Sequence, residues 1–160
     1  MQEGEAKAER LRQISFELQK LARADARASE RALELLRERD QLRGYDRETT
    51  LNLLRDHAKR RKFVSYGGVA EANGLRWSQP VKSWTKTHLD GINAFAWANG
   101  WPPLSAIVVA KPHLSDGGMD PPTRAGFAEA VRRLGWTVDD PEAFLRARQE
   151  AVFRWAAGGA

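Results

Sequence analysis

The sequence predicts an α+β, mostly α fold: a long N-terminal coiled-coil helix, then a winged helix-turn-helix domain with two C-terminal helices. Residues 5–43 contain no Gly or Pro and repeat apolar side chains at heptad spacing. The stretch Phe63–Gly74 places a β-prone triplet before a short apolar helix that Asn73 and Gly74 close. Two further amphipathic patterns lie toward the C terminus.

The N-terminal helix is predicted from its apolar seam, which weakens in the middle at Asp25, Ala28 and Ala32. A helix of about 39 residues extends roughly 58 Å, and a small domain cannot cover it. We therefore expect a homodimer through residues 4–43, and the alternative is a helix that folds back over its own domain. The seam comprises Leu11, Ile14, Leu18, Leu21, Asp25, Ala28, Ala32, Leu35, Arg39 and Leu42.

Gly44 and Tyr45 interrupt this helix, so we predict a coiled-coil segment over residues 1–44 and a winged-helix-like domain over residues 45–160. Asp46 is a favourable N-cap for a helix over 47–60. That helix ends in a run of four cations, Lys59 to Lys62. Such a run could bind a phosphate, or it could simply complement the helix dipole.

The next helix is predicted over 80–99, because Pro80 suits a first helical position and Asn99-Gly100 form a C-cap. The β-branched segment Ser105–Ala110 predicts a strand, and Lys111–Pro122 is a polar loop of wing character. Two closing helices follow, of which the first ends at Gly135 and the second begins after Asp140.

Composition excludes several kinds of chemistry. The chain has no cysteine, so a disulfide, a thiol nucleophile and a Cys-based zinc site are excluded, and no metal or other cofactor is expected. The most apolar run, Leu104–Ala110, is far shorter than the roughly 20 residues of a membrane span. The first residues are acidic and do not have the pattern of a signal peptide, so a cytoplasmic protein is expected. Of the net charge of +5, four charges lie in residues 45–90, which hold nine Lys/Arg against five Asp/Glu.

The segment Val64–Ala70 resembles the V-[ST]-Y-G-x-[IV]-A motif in the winged-helix domain of alkylguanine-DNA alkyltransferases and alkyltransferase-like proteins. The similarity covers residues 63–111. It implies a DNA-binding domain in which Tyr66 and the helix after it approach the DNA backbone. The catalytic Pro-Cys-His-Arg of that family has no counterpart here, and since alkyl transfer of that kind requires a thiolate, the activity is excluded.

A wider pattern over residues 45–157 resembles a group of small uncharacterised prokaryotic, phage-associated proteins. It joins Tyr66–Ala70 to Asn99–Val109, Gly126-Phe127 and a final segment with Glu150 and Trp155. This second resemblance implies a common fold boundary and no particular activity.

The function predicted from these features is non-catalytic DNA binding, in a regulatory, mobile-element or defence setting. The helix over 80–99 would enter the major groove by its N-terminal end. Gln79 suits a bidentate contact with adenine, and the lysines suit phosphates or guanine. The predicted DNA-binding residues are Arg60, Arg61, Lys62, Tyr66, Arg76, Trp77, Ser78, Gln79, Lys82, Ser83, Lys86 and Lys111.

Alternatives remain open from the sequence alone. Trp77 and Trp84 could stack on unpaired bases or belong to the core. A protein-protein interaction module, such as a phage-encoded inhibitor or assembly adaptor, would use the coiled coil and the Trp101-Pro-Pro surface. A metal-dependent nuclease would draw on one loop that holds Lys111, His113, Asp116 and Asp120.

Overall fold

The structure, a computed structural model, describes residues 2–158 and is mostly helical within them, as the sequence predicts. Its sheet consists of two strands of two residues each. In chain order the elements are α1 (Gln2–Arg23), α2 (Glu30–Leu42), α3 (Arg47–Lys59), β1 (Val64–Ser65), α4 (Tyr66–Ala72), α5 (Gln79–Ala98), β2 (Val108–Val109), α6 (Pro121–Leu134) and α7 (Pro141–Ala156).

The long N-terminal helix is confirmed over α1, but its predicted continuation to residue 43 is wrong. The chain turns at Asp25, whose φ is 56°, and Ser29 caps α2 by accepting the N–H of Ala32. The break falls where the seam has its weakest apolar side chains. Folding back lets α2 cover α1 within one chain, so that Ile14 and Leu35 are fully buried.

Two ion pairs hold α1 and α2 together as an antiparallel hairpin, which we call the N-terminal hairpin (residues 2–42). Arg10 donates two hydrogen bonds of 2.6 Å to Glu38, and Arg31 donates to Glu17 at 2.6 and 3.2 Å. Such bidentate pairs add directional specificity to the apolar packing. The segment therefore folds back as a hairpin within one chain, and α2, rather than one unbroken helix, packs against α5.

The helix-turn-helix elements form as predicted. Ser65 caps α4 by accepting the N–H of Gly68, and Asn73 and Gly74 close it, with φ of 75° at the glycine. The turn to α5 is anchored by Leu75, which lies so close to Gly44 that a Cβ there would come within 2.9 Å of the leucine side chain. Since Gly44 also has φ of 95°, a side chain at this position would be both strained and crowded.

The sheet is smaller than predicted. Residues 104–107 form a 3₁₀ helix, so the strand expected over Ser105–Ala110 shrinks to β2, which pairs in parallel with β1 in the register Val64↔Val108. Asn93 of α5 fixes the 3₁₀ segment, because its amide donates to the Ser105 hydroxyl at 2.8 Å and accepts the Ser105 N–H at 3.1 Å. Side-chain hydrogen bonds to α5 thus compete with strand pairing here.

The segment with wing character, residues 111–122, carries no strand. It forms a short 3₁₀ helix at Lys111–His113, a tight loop, and the start of α6. Gln149 of α7 holds the loop by donating to the carbonyl oxygens of Ala106 at 3.0 Å and Gly117 at 2.7 Å. The loop is therefore tied to the core by its backbone.

The helices α6 and α7 close the core, as predicted. Asp140 caps α7 by accepting the N–H groups of Glu142 and Ala143. Leu145 and Val152 of α7 are fully buried in the same cluster as Leu54 and Ile107. One apolar core thus packs against α5, α6 and α7.

Candidate nucleic-acid interface

Helix α5 presents a polar, basic face over its first two turns. Gln79, Lys82, Ser83 and Lys86 are all exposed, whereas Val81, on the opposite side of the helix, is buried. Ser78 caps the helix, since its hydroxyl accepts the N–H of Val81 at 3.3 Å. The sequence predicts that these side chains share one exposed helix face, and in the structure all four are exposed on that face.

Tyr66 adjoins this face from the first residue of α4. The ammonium of Lys86 lies 6.0 Å from the centroid of the Tyr66 ring, a cation–π distance. Burial, with a smaller effect from the Asp90 carboxylate, raises the pKa of Tyr66 above its ordinary value. Its hydroxyl is therefore protonated at neutral pH and can donate a hydrogen bond.

Two predicted residues, Arg76 and Trp77, lie in the turn between α4 and α5. Both are exposed, and Trp77 keeps 47% of its surface accessible. Trp84, by contrast, is half-buried and its ring lies 5.7 Å from the guanidinium of Arg43, the residue directly after the N-terminal hairpin. Trp84 is thus a packing residue, and Trp77 is the tryptophan that is available for stacking.

The basic run at the end of α3 is partly engaged inside the protein. Arg60 donates to Asp56 at 2.6 Å, and Arg61 pairs with Glu150 of α7 while its guanidinium lies 4.9 Å from the Phe153 ring centroid. Both partners belong to α3 and α7 and not to the α4–α5 unit. Lys62 is exposed.

Lys111 leaves the sheet at the same edge as Tyr66. Because β1 and β2 are parallel and Ser65 pairs with Val109, the residues after both strands emerge together. Lys111 is exposed at this edge. Lys111 and Tyr66 therefore follow neighbouring ends of the two paired strands.

The four residues of the nuclease alternative do not form a metal site. His113 lies with Nδ1 3.1 Å from Asp116 and Nε2 3.2 Å from Asp120, so carboxylates occupy both ring nitrogens. The hydrogen bonds to Asp120 and Asp116 raise the pKa of His113. Within residues 2–158 no group of three His, Cys, Asp or Glu side chains could hold a metal ion. Hydrogen bonds among the His113, Asp116 and Asp120 side chains instead stabilise the loop. Asp116 also accepts the N–H of Gly118 at 2.7 Å.

A buried polar network fixes α5 against the N-terminal hairpin, and the sequence reasoning missed it. The His88 ring has Nε2 2.7 Å from the Thr50 hydroxyl and Nδ1 2.9 Å from the Asp40 carboxylate. Nδ1 forms no hydrogen bond despite this short distance. Tyr45 stacks on His88 with centroids 4.6 Å apart. The sequence signal for this network was the presence of polar residues, such as Thr50 and Thr85, at positions where helical spacing predicts buried side chains.

A groove between the N-terminal hairpin, α5 and α6 was also missed. Asp90 lies where this groove meets a second hollow beside Tyr66. Although Asp90 remains accessible to solvent, the surrounding walls displace water and raise its pKa to about 6, against the opposing effect of Arg39 and Arg133. Residues from three separate helices build this environment, so sequence spacing alone did not reveal it.

The function is inferred from the geometry of the site, because the comparisons with known proteins give no match. No family model, curated protein or solved structure matches this chain. Among the described helices, none is long and apolar enough to cross a membrane.

Proposed function

We propose that the protein binds DNA without catalysis, with the first two turns of α5 in the major groove. The observation that carries this proposal is the exposed face of Gln79, Lys82, Ser83 and Lys86, which lies on a helix packed against the core. The preceding α4 and its capped turn give the face a fixed orientation. A rigid polar helix face of this kind suits groove recognition.

Each side chain has a distinct role in this proposal. Gln79 reads a base edge, while Lys82 and Lys86 neutralise phosphates. Tyr66, with its hydroxyl protonated, donates to a backbone phosphate. Trp77 stacks on a base or sugar at the edge of the contact. These contacts cluster around one helix end.

Other predicted residues fit the proposal in more limited roles. The Ser78 hydroxyl already caps α5, so Ser78 contributes mainly backbone geometry. Arg76 and Lys111 extend the basic surface on either side. The run Arg60, Arg61 and Lys62 contributes chiefly through Lys62, because both arginines already have carboxylate partners.

A homodimer through the N-terminal hairpin would increase DNA affinity by raising the effective concentration of the second site. Ile14, Ala32 and Leu35 of the predicted seam are buried within one chain, so the contact would use the outer face of α1. Phe16 on that face keeps 60% of its surface exposed. Dimerisation is thus proposed on a different surface from the one the heptads predict.

The proposal is tested by fluorescence anisotropy with a labelled random duplex over a series of salt concentrations. Replacing Lys82 and Lys86 together by Gln should weaken binding and lower the salt slope by about two phosphate contacts per protomer. A matched variant, Lys7→Gln with Arg37→Gln, removes the same charge from exposed positions outside the face and should leave the slope unchanged. Equal slopes for all three proteins would contradict the assignment of α5.

A protein-binding role is the second candidate, and the exposed Phe16 favours it. The side chain lies beside a shallow hollow formed with Leu11, Ser15 and Arg43. If the duplex does not bind even at low salt, α1 becomes the surface to test. Sedimentation of wild type and Phe16→Ser would then show whether that surface joins two copies of the chain.

A further inference from the structure

The groove between the N-terminal hairpin, α5 and α6, which we call the arginine groove, has the size of a small-molecule site. It is lined by Arg27, Arg39, Asp90 and Arg133, and its most buried lining residues are Ala32, Gly91 and Ala94. Its volume is about 340 Å³. Ligand pockets in proteins span about 300–1,000 Å³ and combine apolar walls with a few polar groups.

Arg39 is the polar group in this groove whose bonding the protein leaves incomplete. Its Nε is buried and has no hydrogen-bond partner among residues 2–158. The same holds for Arg43, Arg47 and Arg148, but each of those guanidinium groups lies over an aromatic ring, at 5.7, 3.9 and 5.6 Å. Arg39 has neither such a ring nor a carboxylate within 4.0 Å in that range. A ligand in the groove cannot reach a nitrogen that is shielded from solvent, so it would accept from the terminal nitrogens of Arg39, which have no partner among residues 2–158.

The charge balance of the arginine groove defines the class of ligand. Three guanidinium groups face one carboxylate, that of Asp90. Arg133 also pairs with Glu129 at 3.2 Å, which leaves Arg27 and Arg39 as the cations free to bind an anion. The rest of the lining is mainly aliphatic, with Leu18 and Leu36 on opposite helices.

We propose that the arginine groove binds a small carboxylate with an aliphatic body, with the carboxylate accepting from Arg39 and the body lying on the apolar wall. Arg27 supplies a second positive charge. Arginine suits this role because its planar fork pairs with a carboxylate through two hydrogen bonds. This inference does not depend on DNA binding, because the groove lies on the hairpin side of α5.

The test is isothermal titration calorimetry of the full chain with decanoate, below the concentration at which decanoate forms micelles. Saturable binding of one decanoate per chain is expected. Decanol, which keeps the body, and acetate, which keeps the charge, should each bind much more weakly. Binding of decanol as tight as that of decanoate, or no saturable decanoate binding, would overturn the proposal.

Substitutions then locate the site. Arg39→Gln should weaken decanoate binding about tenfold or more, as expected for loss of a charge-assisted hydrogen bond. Arg37→Gln removes the same charge from an exposed position on the same helix, outside the groove, and should have little effect. Equal weakening by both changes would show a diffuse electrostatic effect and overturn the site.

Two further variants keep the test decisive if Arg39→Gln does not fold, as judged by circular dichroism. Ala22→Leu fills the groove from α1 without changing charge and should abolish binding. Asp90→Asn removes the one negative charge in the lining and should tighten binding. Unchanged affinity in both variants would place decanoate elsewhere and overturn the proposal.

Discussion

At the scale of single residues, Asp90 combines accessibility with a strongly perturbed ionisation. It lies at the rim shared by two hollows, where loss of water raises its pKa to about 6 from an ordinary value of 3.8. The folded protein therefore binds a proton at this group more tightly than the unfolded chain does. By linkage, the stability that Asp90 contributes is fully present below about pH 4 and is lost as pH rises through about 6.

We predict that Asp90→Asn removes this pH dependence. The difference in melting temperature between the variant and the wild type should grow in favour of the variant as pH rises from about 4 to about 7. Thermal melts over that pH range measure it. Asp139→Asn, at an exposed position in the loop before α7, serves as the control, and a constant difference for Asp90→Asn would contradict the raised pKa.

His88 is expected to be the most sensitive polar position in the core. Its replacement by Leu leaves the Thr50 hydroxyl and the Asp40 carboxyl group buried without their neighbour, and leaving a buried polar group without a partner costs about 1–3 kcal/mol. Urea unfolding of His88→Leu measures the loss. Adding Asp40→Asn to that variant should restore part of the stability, because an amide costs less to bury than a carboxyl group that can ionise. A loss below about 1 kcal/mol would show that the network is replaceable.

The sequence identifies side chains of the site where helical spacing alone determines which face of a helix is exposed. Gln79, Lys82 and Lys86 lie on one face because they are separated by about one turn. The sequence did not indicate that Arg39 and Asp90 lie in one groove, because they belong to helices far apart in the chain. It also did not reveal that Arg60 and Arg61 have partners, since Glu150 lies on α7.

At the scale of secondary-structure elements, the N-terminal hairpin shows the limit of a periodic pattern. Heptad spacing continues through Asp25, yet the chain reverses there. The pattern specifies an apolar stripe and does not specify which partner covers it. Packing of α2 on α1 within one chain needs no second molecule. Breaking the helix near Ala28 costs little free energy, because the apolar seam is weak there.

Substitution at Asp25 distinguishes a hairpin from a straight helix by the sign of its effect. At φ of 56° Gly is unstrained, so Asp25→Gly should stabilise the protein slightly, whereas Asp25→Val should destabilise it. In a continuous helix the glycine would instead cost about 0.3 kcal/mol relative to aspartate. Chemical unfolding of both variants measures the difference. Destabilisation by glycine to that extent would contradict the turn.

The helices α3 to α7 were predictable because local capping signals agree with the apolar pattern. Asp46, Ser78 and Asp140 each accept a backbone N–H in the first turn of their helix. The strand over Ser105–Ala110 was predicted too long, because Asn93 binds the Ser105 backbone from another helix. Strand propensity is easily overridden by such contacts.

At the scale of the whole molecule, the predicted boundary between residues 1–44 and 45–160 is crossed by buried contacts. Asp40 reaches His88, and α2 packs along α5 near Gly91, where an added Cβ would lie 3.6 Å from the Asp40 carboxylate. The N-terminal hairpin therefore helps to hold the helix that we propose enters DNA.

We predict that a chain truncated to residues 45–160 loses cooperative folding. Removal of α2 exposes the buried His88 and Tyr45 and strips one side of α5. Circular dichroism melts of the truncated and full chains measure this. A truncated chain that melts cooperatively near the full-length temperature would show that the predicted boundary separates independent domains.

The sequence by itself determined the helical composition, the caps, the α4–turn–α5 unit and the basic exposed face of α5. These properties depend on residues within a few turns of one another, where spacing and propensity decide. The tertiary structure alone decided the reversal at Asp25, the His88 network and the arginine groove. Each of these depends on which distant helices share an interface, and the free energy of that choice is summed over contacts that no local pattern encodes.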